Sequence, residues 1–178
     1  MLINNENLKT LAISNNICNK HELIEDFCIQ IRLSNDYYIP KKDDSYIKYG
    51  LNSDGLFDKY ELFDANETPI ILAPGEQVLA CSNERYSIPN NIFGLVQTKG
   101  SLARLFVQVT CCDGQIEPGF EGKITLEIVN LSPFKIELPM LSKVAQLYLF
   151  QCSTKTLKNY NGKYAGHDIP SLPDFNGF

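Results

Sequence analysis

The sequence predicts an all-β barrel or sandwich with short helices, and three observations carry that prediction. "FCIQIRL" (27–33) and "KITLEIV" (123–129) alternate apolar and polar residues with a period of two. Gly, Pro and Asn cluster between strand-like runs, in "APGE" (73–76), "SIPNN" (87–91), "EPGFEG" (117–122) and "LSPF" (131–134). Finally, 178 residues suffice for one domain with a sizeable core, and no internal repeat or long linker divides them. Short strands with turn signals every 8–12 residues are the pattern of small all-β folds.

Taken in order, residues 1–20 form an N-terminal segment with a short helix expected over 4–12. Further strands are expected at "QVLAC" (77–81), "FGLVQ" (93–97), "FVQVTC" (106–111), "FKIEL" (134–138) and "AQLYLF" (145–150). The polar stretch 40–55 reads as a long loop. The tail 158–178 is rich in Gly, Pro and Asn yet carries Tyr160, Tyr164, His167, Phe175 and Phe178. It reads either as a frayed terminus or as a flexible lid that closes over a ligand.

Composition narrows the function. A net charge of −5 provides no basic field for nucleic acid. The opening "MLINNENLKTLAISNN" lacks a basic stretch followed by an apolar one, so no signal peptide is expected. Runs such as "PIILA" and "QLYLF" are far too short to span a membrane, and the expected location is cytoplasmic. The six cysteines form no C-x-x-C pair, so the expectation is reduced, mostly buried thiols.

Two stretches carry candidate chemistry. In "IEPGFEGKITLEI" (116–128), a turn at 118–122 would pair Glu117 with Lys123, Gln115 with Thr125 and Asp113 with Glu127. Ile116, Ile124, Leu126 and Ile128 would face the core, leaving Asp113, Gln115, Glu117, Lys123, Thr125 and Glu127 on the other face. That polar face is either a solvated surface or the floor of a site. Two opposed carboxylates would raise one pKa, which suits an acid/base. Just upstream, "QTKGSLARLF" (97–106) reads as a strand end, a tight turn and a short helix capped by Ser101. Such a turn offers free N–H groups to an anion, with Lys99 and Arg104 adding charge.

"KGSLARL", "DGQIEPGFEGKITLEI" and "KVAQLYLF", in that order, resemble the successive motifs of the dCTP deaminase and dUTPase superfamily. The resemblance is nearer to dCTP deaminase and spans roughly residues 24 to 173. "FCIQIRLSN", "LAPGEQVLA", "YSIPNNIFGLV" and the tail "GKYAGHDIPSL" extend it. It implies a dUTPase-like distorted β-barrel or double sheet, a homotrimer with sites between subunits, and the Mg²⁺ complex of a deoxynucleoside triphosphate as substrate. It implies no zinc, consistent with the lack of an H-x-E and P-C-x-x-C signature.

By the same resemblance, Glu127 is the general acid/base that activates water for attack on C4 of cytosine. The carbonyl of residue 113 helps to hold that water, and Arg104 orients the group. Lys99, Gly100, Ser101 and Gln146 fall at the phosphates. Glu117 meets the deoxyribose 3′-hydroxyl and Phe120 lies beneath the sugar, with Gln115 on the same polar face. Tyr160, Lys163 and His167 fall where the tail closes over the triphosphate. Gly100, Asp113 and Glu117 depart from the family pattern, which has Ser, a small residue and Asp at these positions. Asp113 is read as a catalytic residue that compensates for Gly100. The implied reaction is deamination of dCTP to dUTP and ammonia. A dUTPase, a bifunctional enzyme, and a catalytically weak nucleotide-binding or structural trimer stand as alternatives.

Overall fold

The computed structural model describes residues 1–42, 44–50, 55–157, 160 and 162–175. Helix α1 (Asn5–Ser14) opens the chain. Ten strands follow: β1 (Ile29–Pro40), β2 (Tyr60–Asp64), β3 (Ile70–Leu72), β4 (Gln77–Ser87), β5 (Ile92–Thr98), β6 (Val107–Gln108), β7 (Gln115–Ile116), β8 (Glu121–Asn130), β9 (Ile136–Leu138) and β10 (Lys143–Gln151). A single helical turn, α2 (Gly100–Ala103), lies between β5 and β6. The main sheet runs β6-β8-β4-β1-β10-β5-β7, and β3 pairs separately with β9.

The long strand β1 organises the sheet. Its first residues pair with β10, as in Ile29 with Leu147 and Ile31 with Ala145. Its later residues pair with β4, as in Leu33 with Ser82 and Tyr38 with Leu79. The register shifts at Ile31/Arg32 and again between Leu33 and Tyr37, so β1 bends where it changes partner. Where β10 ends, β2 takes the vacated edge from Asp36 to Pro40. Two half-sheets thus share one strand, and together they form the curled double sheet that the sequence predicts.

The core lies inside that curl. Leu8, Ile17, Ile29, Ile31, Leu33, Leu126, Ile128, Leu147 and Leu149 are fully buried in one cluster. Each such side chain contributes about 1.5–3 kcal/mol by leaving water. Strand β8 alternates as expected: Ile124, Leu126 and Ile128 are buried, while Lys123, Thr125 and Glu127 on the opposite face are partly exposed.

Stretch 40–55 is loop as expected wherever it is described, apart from Pro40, which ends β1; residues 43 and 51–54 lie outside the described residues, as does Phe178. Several expectations need correction. Strand β1's later half, β2 and β3 were not expected. Their alternation is blurred because β1 serves two partners and Leu62 and Ile71 are exposed. "FVQVTC" keeps only Val107–Gln108 as strand. Phe106 at φ +57° breaks it at the front. At the back, Val109 donates its N–H to Thr98 Oγ1 (2.9 Å) instead of to a ladder. Helix α2 begins at Gly100 with Lys99 as its N-cap residue, so Ser101 lies within the turn and is not its cap.

Cys18, Cys28 and Cys81 are buried, whereas Cys111 and Cys112 are exposed. Burial pushes the Cys81 thiol up to about 11. A thiol protonated far above neutrality is a poor nucleophile. In the folded protein at pH 8, Cys81 should therefore resist a maleimide reagent, and it should react once the chain is denatured. Mass spectrometry of the labelled peptides reads this directly; fast labelling of native Cys81 would contradict the buried placement.

Candidate active site

The polar face of β8 floors a cleft of about 400 Å³. Asp113, Gln115, Glu117, Phe120, Lys123, Thr125, Glu127 and Tyr160 line it, joined by Leu79, Val96, Thr110, Tyr164, Ser171 and Pro173. The polar face therefore borders a cleft rather than open solvent. Phe120 is buried at the rim, and its ring centroid lies 6.1 Å from that of Tyr160. Burial raises the Tyr160 hydroxyl above its usual pKa, with the Glu117 charge adding to it, so the group is neutral at physiological pH.

The expected hairpin does not form. Strand β8 pairs with β4 and β6, whereas Gln115 and Ile116 pair with Leu95 and Gly94 of β5. The chain from β6 to β8 instead crosses between the two half-sheets, and β7 belongs to the other half. Asp113 and Glu127 still meet, but through backbone. Glu127 Oε2 accepts the N–H groups of Cys112 (3.0 Å) and Asp113 (2.9 Å), and the Glu127 carbonyl accepts that of Cys111 (3.1 Å). Charge-assisted bonds of this kind are stronger and more directional than neutral ones. Among the described residues Glu127 Oε1 accepts no hydrogen bond, and the side chain lines the cleft. The Asp113 carboxylate is engaged elsewhere, accepting the N–H of Gln115 at 3.0 Å.

The described part of the tail lies along β8 of its own chain. Gly166 donates to the Glu121 carbonyl (2.7 Å), Lys123 to the His167 carbonyl (3.1 Å), and Ser171 to Thr125 Oγ1 (3.0 Å). Arg85 pairs with Asp168. At Gly122, φ is +144°, and a Cβ there would stand 3.1 Å from Gly166 N, so glycine admits the strap. Tyr160 and Tyr164 reach the cleft. His167 and Lys163 do not line it: His167 Nε2 contacts the Lys163 carbonyl (3.0 Å), and Lys163 Nζ donates to the Asp174 carbonyl.

Lys99, Gly100, Ser101, Arg104 and Gln146 do not line this cleft either. Arg104 Nη1 folds back on the Gly100 carbonyl (2.9 Å), and a Cβ at position 100 would stand 3.1 Å from that nitrogen. A single turn carries little dipole, so the charge here is that of Lys99 and Arg104. Lys99 Nζ donates to Gln30 Oε1 (3.0 Å), and Gln30 Nε2 donates to Glu25 (2.8 Å). Gln30 is fully buried, and the sequence reading missed it. In the alternation of "FCIQIRL" it falls on the polar face with Arg32, so nothing in the sequence marked it as buried; β1 is covered on both faces there. Its strand neighbour Gln146 lines a second cleft of about 620 Å³ with Glu25, Phe27, Cys28 and Tyr148.

The order and spacing of these elements match a known family. A profile described as "dCTP deaminase-like" matches residues 4–152. The chain belongs to the dCTP deaminase-like family. It is 32% identical over 182 residues to a protein of Nanoarchaeum equitans named "dCTP deaminase, dUMP-forming", covering 92% of each chain. A protein of the same name from Corynebacterium efficiens is 34% identical over 155 residues, covering 84% of this chain and 79% of the other. In fold, the chain is similar to the crystal structure of 2′-deoxycytidine 5′-triphosphate deaminase from Agrobacterium tumefaciens. The TM-score is 0.58 at 17% identity, over 78% of this chain and 45% of that one.

In this dCTP deaminase-like chain the crossing segment leaves no room at position 114. A Cβ on Gly114 would lie 2.6 Å from the Val96 carbonyl oxygen, whose own N–H donates to the Gly114 carbonyl (2.7 Å). The obstacle is backbone and cannot swing aside. Gly114→Ala should cost about 1–3 kcal/mol, as overpacking does. A urea melt monitors the loss; an unchanged midpoint would show that the crossing segment shifts freely.

Proposed function

We propose that this chain deaminates dCTP at a site completed by a second copy and carries the product on to dUMP. The observation that carries the proposal is Glu127: a carboxylate of the cleft floor with one oxygen held by two N–H groups, in a chain of this family. The base would lie over Glu127. Water adds to C4 as Glu127 Oε1 takes its proton. That proton passes to N3, a second proton goes to the exocyclic nitrogen, and ammonia leaves as the C4 carbonyl forms. Glu117 is proposed to receive the 3′-hydroxyl, Phe120 to support the sugar, and Gln115 to contact the sugar or base.

The triphosphate would extend beyond this cleft, as its Mg²⁺ complex. Lys99, Gly100, Ser101, Arg104 and Gln146 are proposed to meet the phosphates from a neighbouring copy, because within one chain they do not line the cleft that Glu127 floors. This separation supports an assembly with sites between subunits, and a homotrimer is the form that the resemblance implies. Tyr160, Lys163 and His167 are proposed to close over the triphosphate as the tail's lid. Lys99 keeps a positive charge but lacks the bidentate fork of arginine. Gln30 would hold it in place.

The relatives' name supports dUMP over dUTP as the final product, and so favours the bifunctional reading. The two steps balance: dCTP and water yield dUTP and ammonia, then dUTP and water yield dUMP and diphosphate. Purified protein with Mg²⁺ and dCTP should release ammonia and diphosphate in equal amounts. Ammonia with accumulating dUTP would restrict the activity to deamination. Nucleotide binding without either product would favour the non-catalytic alternative, for which the departures at Gly100 and Asp113 are the argument. Glu127→Gln should lower ammonia release by about 10²–10⁴-fold; full retention would refute its role. Gln30→Leu should raise KM about tenfold with kcat nearly unchanged, the mark of lost phosphate binding.

A further inference from the structure

The Val96 carbonyl forces glycine at position 114, and glycine is the most freely rotating residue. It sits directly beside the two peptide groups that hold Glu127, so the clamp contains a hinge. The Asp113 side chain spans that hinge: Oδ1 accepts the N–H of Gln115, closing an Asx turn over Gly114. Beyond it, Gln115 is already paired with Leu95 of β5. The turn is thereby fastened to Glu127 in front, to β5 behind through Gln115 and through the Gly114 carbonyl, which accepts the Val96 N–H, and across the middle by Asp113.

We propose that Asp113 is a positioning residue whose carboxylate locks the Gly114 turn and thereby aims the Cys112 and Asp113 N–H groups at Glu127 Oε2. It is not a partner in proton transfer. The reading of Asp113 and Glu127 as opposed carboxylates assumed a cross-strand pair, and the strands that would make that pair do not pair with each other; the reading of Asp113 as compensation for Gly100 meets a carboxylate already engaged by the Gln115 N–H. What the turn requires of residue 113 is an acceptor oxygen two residues before an N–H, and asparagine supplies that as well as aspartate. The charge is dispensable; the acceptor is not. This inference rests on Glu127 being the group that moves protons in the proposed deamination.

Two variants separate the roles. Asp113→Asn keeps the acceptor and removes the charge, whereas Asp113→Ala removes both. With dCTP as substrate, Asp113→Ala should lower kcat by about tenfold to a hundredfold through misaligned geometry, with KM changing far less. Asp113→Asn should restore kcat to within about twofold of wild type, because the local side chain to backbone bond survives. It should also leave the acidic limb of the kcat–pH profile where it stands. An asparagine variant as impaired as alanine, or a displaced acidic limb, would overturn the proposal in favour of a shared proton. A readout that needs no turnover distinguishes failure here from failure of the Glu127 reading. Amide hydrogen exchange at residues 112 and 113 should accelerate in Asp113→Ala and not in Asp113→Asn. Unchanged exchange in Asp113→Ala overturns the proposal whether or not the protein deaminates dCTP.

Discussion

One carboxylate oxygen, Glu127 Oε2, holds the segment that crosses between the two halves of this protein. Strand β6 belongs with β8 in one half-sheet and β7 with β5 in the other, so the chain between them must cross the gap. Along that crossing, the N–H groups of Cys112 and Asp113 are removed from any ladder. Backbone donors always require partners, and Glu127 supplies one for both. The carboxylate that closes the structure is also the one that floors the cleft. Its orientation is therefore inseparable from the fold's topology: moving the crossing segment reorients the Glu127 carboxylate.

Strand β1 creates the gap that has to be crossed. Its two register shifts bend the sheet, so that β10 and β4 lie along successive stretches of one strand rather than side by side over its whole length. A flat sheet would have no concave face. The bend costs regular hydrogen bonding at the bulges, and the buried cluster from Leu8 to Leu149 offsets that cost. Helix α1 adds Leu8 and Ala12 to the same cluster and so seals the curl from outside.

Charge is distributed to match this architecture. The acidic groups of the cleft, Asp113, Glu117 and Glu127, gather around the crossing segment, with Lys123 between them on β8. The basic groups Lys99 and Arg104 lie elsewhere, around α2 and the buried Gln30. Within one chain the cleft holds three carboxylates and the single cation Lys123 among its lining residues, a poor match for a polyanion. The proposed site between two copies would answer that imbalance by bringing a second copy's basic region to the acidic cleft. The family's dUMP-forming relatives make a triphosphate of this kind the natural occupant to test.

Much of the site was legible in the chain. Period-two alternation in "KITLEI" placed Lys123, Thr125 and Glu127 on one face, since a strand has no other way to arrange its side chains. The Gly and Pro clusters marked turns because few residues tolerate those backbone angles. Which strands pair was not legible. A turn such as "EPGFEG" suits a hairpin, and only the competition among all strands for partners decided that β7 and β8 part company. Gln30 and Gly114 acquired their roles the same way: their partners Lys99 and Val96 lie far from Gln30, or across a strand, in sequence. Local preference determines which face each residue takes and where the chain turns. Long-range packing alone determines which faces meet, because it minimises the free energy of the whole core rather than that of any one segment.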